Sequence, residues 1–107
     1  MDSDFKQNFN YFLDSERKNR IFVSFTYSAD FLSTDEFVLI YLTKIDDSFK
    51  EVIKYDYSKR EALHVHYFGK HARKEYLDLP PTIGTLFELK NNLVSNWHRY
   101  LLKFMEG

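Results

Sequence analysis

The chain has 107 residues, 15 Lys and Arg against 16 Asp and Glu, a net charge of −1 at pH 7 and no cysteine. This balance excludes a global basic field for binding nucleic acid, so any such contact needs a local patch. The absence of cysteine excludes disulfides and thiolate metal sites and suits a reducing cytosol. Eleven Phe and eight Tyr indicate a core rich in aromatic side chains. We expect one domain over residues 1–107.

The first residues argue against export or membrane insertion. The start, Met1-Asp2-Ser3-Asp4, is acidic where a signal peptide is basic. No apolar run approaches the roughly 18 residues of a membrane span. We therefore expect a cytoplasmic protein with no membrane partner.

The N-terminal segment and the next two segments differ in period. Apolar side chains at Phe5, Phe9, Phe12 and Leu13 predict a helix over residues 3–18. From residue 20 to 27 the period is two, which predicts a strand, followed by a loop over 28–35. Residues 37–45 are apolar at nearly every position and predict a central strand covered on both faces.

The second half predicts a hairpin and a long helix. Asp46-Asp47-Ser48 predicts a turn, after which strands over 49–57 and 62–68 are joined by residues 58–61. Thr85 and Glu88 fit a capping box, and apolar residues at helical spacing predict a helix to Met105. These residues are Leu86, Leu89, Leu93, Trp97, Leu101 and Phe104. The predicted class is α+β: an antiparallel four-stranded meander flanked by an N-terminal and a long C-terminal helix packed on one face.

A histidine pair is the main candidate for chemistry. His64 and His66 stand two apart in a predicted strand, so they share a face and lie about 7 Å apart at their backbones. Leu63, Val65 and Tyr67 should then face the core. The simplest alternative is a half-exposed sheet face with no site. His98, at the edge of the helical stripe, is predicted to lie on the surface.

The register of the hairpin decides what lies opposite the pair. A three-residue connection would place Lys54 and Asp56 on the histidine face, where Asp56 could orient an imidazole. A four-residue connection would place Tyr55 and Tyr57 there and favour stacking on bases. The sequence leaves both open.

A metal site would need a third ligand in addition to the two histidines. Candidates are His71, Asp56 and Glu75, but no acidic residue has a helical spacing that completes a familiar site. We predict no metal and no other cofactor.

Metal-free RNA cleavage needs a base, an acid and cations for the phosphate. His64 and His66 are the candidate base and acid, and Asp56 is the candidate orienting residue. Residues 59–74 carry a net charge of +4 before histidine is counted, although a solvated charged face is an alternative explanation. The candidate substrate-binding residues are Tyr67, Lys70, His71, Arg73 and Lys74.

The segment Lys54-Tyr55-Asp56-Tyr57, followed by His64-Val65-His66-Tyr67-Phe68, resembles the TumE-like toxins of toxin–antitoxin pairs. The resemblance extends from about residue 20 to 100. It implies an antiparallel sheet, a helix near the end, an antitoxin partner and action on RNA.

Two functions follow as hypotheses. The first is a toxin-like protein directed at RNA. The second is a non-catalytic interaction module that pairs with itself or another chain through an aromatic sheet face including Phe22 and Phe68. A symmetric homodimer would be the commonest form of such a module.

Overall fold

The computed structural model describes residues 5–29 and 33–106. The described elements are β1 (Phe5–Phe12), β2 (Asn19–Tyr27), β3 (Phe37–Ile45), β4 (Ser48–Ser58), β5 (Glu61–Tyr67), β6 (Arg73–Tyr76) and α1 (Ile83–Met105). The strands form one antiparallel sheet in the order β1-β2-β3-β4-β5-β6. The predicted α+β class, the antiparallel meander and the C-terminal helix are confirmed.

Two elements differ from the prediction. The sheet has six strands rather than four, because β1 and β6 extend it at its two edges. The described part of the predicted N-terminal helix is the strand β1 followed by a turn over residues 13–18, so α1 is the single helix of the described residues. The start of that predicted helix, residues 3 and 4, and the middle of the predicted loop, residues 30–32, lie outside the described residues.

The predicted N-terminal helix is wrong because its apolar spacing also fits a strand. Phe5 and Phe9 are four residues apart, a spacing that puts two side chains on one face of a helix and also on one face of a strand. In the structure Phe9 pairs with Val23 of β2. The Phe5 ring stacks on Tyr27 with centroids 5.4 Å apart. Pairing with β2 therefore decides the conformation.

The core lies between one face of the sheet and α1. Alternate residues of β2 and β3, such as Val23 and Leu39, are fully buried, as are Leu86 and Leu93 of α1. We call the opposite face, on which no described element packs, the open face. The prediction that β3 is covered on both faces is wrong, because its open-face residues remain partly exposed. These are Val38, Ile40 and Leu42.

The helix begins one residue after Thr82, earlier than the predicted capping box. The Thr82 hydroxyl accepts a hydrogen bond from the Thr85 backbone N–H at 3.1 Å, so Thr82 is the N-cap and Thr85 lies in the first turn. The predicted apolar stripe packs on the core. No helix within residues 5–29 and 33–106 is long and apolar enough to cross a membrane.

The β3–β4 turn occurs where the sequence predicts it. Ile45 pairs with Ser48, so Asp46 and Asp47 form a two-residue connection. Their φ angles are 50° and 66°, the left-handed values of the turn whose twist matches a β-hairpin. The predicted break at this position is confirmed.

Candidate functional site on the open face

The register between β4 and β5 places a charged pair of residues opposite the histidines. Asp56 pairs with His64, and Lys54 pairs with His66. Because directly opposed residues share a face, these four side chains lie on the open face. Of the two predicted registers, the structure selects the one with Lys54 and Asp56. Tyr55 lies on the other face, where it is 5% exposed beneath the helix.

The strand β6 adds a third member to each pair. Tyr76 lies opposite His64, and Lys74 lies opposite His66. Two rows of polar residues therefore cross three strands of the open face. The rows are Lys54–His66–Lys74 and Asp56–His64–Tyr76. We call this group the histidine rows.

His64 is the buried member of the histidine rows, with 2% of its surface exposed. Its Nδ1–H donates to the carbonyl oxygen of Ala62 at 2.8 Å, which leaves Nε2 at 3.8 Å from a carboxylate oxygen of Glu61. The imidazole is packed edge-on against His66, with centroids 4.8 Å apart, and against Tyr76 at 5.6 Å. These contacts fix the orientation of the ring.

Glu61 connects β5 to β6 through its side chain. One carboxylate oxygen accepts hydrogen bonds from the ammonium of Lys74 and from the Tyr76 hydroxyl, the latter at 2.6 Å. The bond from Lys74, followed by that from Tyr76, lowers the pKa of Glu61 to about 2. The same carboxylate raises the pKa of Lys74. Both groups therefore stay charged at neutral pH.

His66 is the accessible member of the pair. It is partly exposed, and its ring stacks on Phe68 with centroids 6.0 Å apart. Desolvation lowers the pKa of His66, and the charges of His64, Lys74 and Lys54 lower it further, whereas Asp56 raises it. These effects favour the neutral imidazole, the form that can accept a proton.

The predicted substrate-binding residues do not form one site, because the sheet separates them. Lys74 lies on the open face beside His66. Tyr67 and Arg73 oppose each other on the helix side, where the guanidinium lies 4.1 Å from the centre of the Tyr67 ring. Lys70 and His71 are exposed in the turn between β5 and β6.

Glu61 and Tyr76 are contacts of the histidines that were not predicted from the sequence. Glu61 is the single acidic residue in the basic run of residues 59–74, which is the one signal that it has a partner. Tyr76 gives no signal, because its position depends on β6, a strand of four exposed residues. The predicted surface position of His98 is confirmed, and its ring stacks on Trp97.

Asp56 makes no side-chain hydrogen bond to either histidine among the described residues, so its effect on His66 is electrostatic. Glu75, a candidate third metal ligand, pairs with Val65 on the helix side and accepts a bond from the Arg73 Nε at 2.7 Å. Within the described part of the chain, no group of three or more His, Cys, Asp or Glu residues is arranged to hold a metal ion.

The fold and the site together define a class: an α+β protein whose meander sheet is covered by a helix on one face and carries paired histidines on the other. Comparison of the chain with protein-family models, curated proteins and solved structures gave no significant match.

Proposed function

We propose that this protein is a toxin-like ribonuclease that acts on single-stranded RNA at the histidine rows. The observation that carries the proposal is the row Lys54–His66–Lys74, in which an imidazole lies between two cations on an accessible sheet face. The lowered pKa of this imidazole favours its neutral form. A neutral base flanked by positive charge is what attack by a ribose 2′-hydroxyl on its own phosphate requires.

The reaction uses the RNA itself as the nucleophile. His66 takes the proton of the 2′-hydroxyl, the 2′-oxygen forms a bond to phosphorus, and the bond to the 5′-oxygen breaks. The leaving 5′-oxygen takes up a proton from water, because the single hydroxyl proton of Tyr76 on the same face is donated to Glu61. The products are a 2′,3′-cyclic phosphate and a 5′-hydroxyl. Lys54 and Lys74 stabilise the negative charge that develops on the phosphate.

His64, Asp56 and Glu61 act as positioning residues in this proposal. His64 is too deeply buried to touch a substrate, but its ring packs against that of His66. Glu61 holds Lys74 and Tyr76 at the edge of the sheet. Asp56 limits how far the surrounding cations lower the pKa of His66. Of the two histidines predicted as acid and base, we therefore retain His66 as the catalytic residue.

The resemblance of residues 54–68 to TumE-like toxins supports the same function. It adds a cytoplasmic setting and a small antitoxin protein that neutralises the activity. A neighbouring reading frame that encodes a DNA-binding antitoxin would support this part of the proposal.

Cleavage of a labelled single-stranded RNA in the presence of EDTA tests the proposal directly. We expect the wild-type protein to release fragments that end in a 2′,3′-cyclic phosphate. Removing a general base costs about 10²- to 10⁴-fold in rate, so His66→Ala should be slower by that factor. Lys54→Ala/Lys74→Ala should also lose activity.

His98→Ala is the matched control, because it removes an exposed imidazole from the helix and not from the open face. Its cleavage rate should equal that of the wild type. Cells that express it should grow as cells that express the wild type do. Absence of cleavage by the wild type, or equal rates for wild type and His66→Ala, would overturn the proposed reaction.

A second function is favoured by the other half of the open face. Phe22 and Ile40 continue the row of Lys54 across β2 and β3, and both remain partly exposed. Phe12, on the edge strand, is 40% exposed. This apolar half would suit an interaction module that forms a homodimer or a complex with an antitoxin. Sedimentation at micromolar concentration that detects only monomer would exclude the homodimer.

A further inference from the structure

A cavity of about 490 Å³ lies on the helix side of the sheet, between the β5–β6 turn and the C-terminal end of α1. Its volume falls within the range of small-molecule sites. We call it the turn cavity. The sheet lies between most of this cavity and the histidine rows, because residues 73 and 74 of β6 point to opposite faces. Phe68 is the shared contact, since its ring lines the cavity and stacks on His66.

Aromatic rings form much of the wall of the turn cavity. They belong to Tyr67, Phe68, Tyr100 and Phe104. The β5–β6 turn is held close to the helix at Gly69, whose φ is 101° and where a Cβ would lie 3.1 Å from the Phe104 ring. The cavity therefore has aromatic walls that approach from the sheet and from the helix. Such walls fit a flat ring, which gains contact area on both sides.

Positive charge lines the same cavity. Arg73 and Lys103 are cationic side chains, His71 adds an imidazole, and Glu106 is the carboxylate among the described residues of the lining. His71 and Lys103 make no side-chain ion pair or hydrogen bond within the described residues, so both are available to a ligand.

Glu106 and two further features offset part of this positive charge. The Nε of Arg73 is bonded to Glu75, but a guanidinium has four further N–H donors. The C-terminal end of a helix contributes about half a negative charge, and the effect decays within the last turn. The lining therefore carries two cations against Glu106 and that half charge, and Lys103, His71 and the remaining donors of Arg73 offer N–H groups to an anion.

We propose that the turn cavity binds a small ligand in which a flat ring carries an anionic group, a phosphate or a carboxylate. The ring lies between the aromatic walls, and Lys103, His71 and Arg73 bind the anion at the rim. This proposal does not rest on RNA cleavage, because it uses the other face of the sheet and none of the residues assigned to the reaction.

Calorimetric titration of the full chain tests the proposal with four probes. Adenosine 5′-monophosphate represents a ring with a phosphate, and indole-3-acetate represents a ring with a carboxylate. Adenosine and inorganic phosphate each carry one half of the proposed ligand. We expect saturable binding of at least one complete probe, and the tighter of the two identifies the anion. Adenosine and phosphate should each bind at least about tenfold more weakly.

Substitutions locate the site. Lys103→Ala and His71→Ala should each weaken the binding of the complete probe by about tenfold, which is the usual effect of losing one hydrogen bond to a charged group. Lys50→Ala, on an exposed position of β4 away from the cavity, is the matched control and should bind as the wild type does. In ¹⁵N-resolved NMR spectra the amides of Gly69 and Lys103 should shift, whereas the amides of Lys54 and Asp56 on β4 should not.

Several results would overturn the proposal. These are no saturable binding of either complete probe at millimolar concentration, equal binding by adenosine or by inorganic phosphate, and no effect of either Lys103→Ala or His71→Ala. Shifts confined to the amides of Lys54 and Asp56 would assign the probe to the open face instead. That last result would leave the proposed ribonuclease function intact while excluding this one.

Discussion

Glu61 determines both the charge and the position of its neighbours at the edge of the sheet. Its carboxylate accepts from Lys74 and Tyr76 and lies 3.8 Å from the Nε2 of His64. Ion pairs at the surface contribute little to stability on average, but several charges around one acceptor form a network whose effect can be measured. The free energy of unfolding should therefore depend on pH through Glu61.

The first prediction concerns that dependence. The pKa of Glu61 is about 2 in the folded chain and about 4.5 when unperturbed, so the folded state favours the anion. Its stabilising contribution is therefore complete above the unperturbed value and is lost as the pH falls through about 2. We expect Glu61→Gln to have a lower free energy of unfolding than the wild type at pH 6, with the difference shrinking towards pH 2.

Denaturant unfolding across this pH range measures the difference. In a Lys74→Ala background the main partner is absent, so the Glu61→Gln substitution should have a smaller effect at every pH. A difference between wild type and Glu61→Gln that stays constant with pH would contradict the prediction.

The second prediction concerns His66, whose pKa is lowered chiefly by desolvation and then by nearby positive charges. The NMR titration of its ring protons should have a midpoint below the unperturbed value of 6.5. Because the unfolded chain then binds more protons, His66 makes folding less favourable as the pH falls below 6.5. A Lys54→Ala/Lys74→Ala variant should raise the midpoint, and a wild-type midpoint at or above 6.5 would be incompatible with this account.

At the scale of single elements, the sequence predicted the interior strands and the helix but neither edge strand. The alternation in β2 and the helical stripe of α1 arise from burial on one side, a signal that the sequence carries directly. In β1 the four-residue spacing of Phe5 and Phe9 fits both the helical period and the period of a strand. The four residues of β6 are all exposed and charged or aromatic, as suits a short edge strand that avoids pairing with other chains.

The candidate site was predictable only in part for the same reason. The spacing of His64 and His66 predicted a shared face. Two registers were open from the sequence, because the connection between β4 and β5 has no tight-turn signature. The burial of His64 and its approach to Glu61 depend on that register and on β6, so they could not be derived from spacing.

The third prediction concerns the β3–β4 turn. Asp46 and Asp47 both adopt left-handed φ angles, which Asn and Gly tolerate better, and their like charges are adjacent. We expect Asp46→Asn/Asp47→Gly to raise the free energy of unfolding by about 0.5 to 1 kcal/mol. Asp47→Ala should lower it, because alanine disfavours this conformation. Urea unfolding measures both, and changes of the same sign would contradict the turn geometry.

At the scale of the whole molecule, one helix covers a six-stranded sheet. The 23 residues of α1 extend about 35 Å at 1.5 Å per residue, enough to cross the sheet once. Leu86 and Leu93 are its fully buried aliphatic residues, and they pack on the core of the sheet. Stability therefore depends on a few contacts between two layers.

The fourth prediction tests that dependence. Leu93→Ala removes a side chain with no exposed surface and should lower the free energy of unfolding by about 2 to 4 kcal/mol. Leu102→Ala is the matched control on the same helix, where the side chain is 69% exposed, and should change stability by less than about 0.5 kcal/mol. Denaturant unfolding that finds equal losses would mean that the helix does not pack on the sheet as described.

The strand β6 contributes alternate residues to two surfaces, with Lys74 and Tyr76 on the open face and Arg73 on the side of the turn cavity. Selection on the two surfaces would therefore act on odd and even positions of one short segment. In a lineage that kept the proposed RNA cleavage but lost the proposed small ligand, position 73 would drift while positions 74 and 76 stayed fixed. A lineage with the opposite history would show the reverse, so these three positions would record which of the two proposed activities survived.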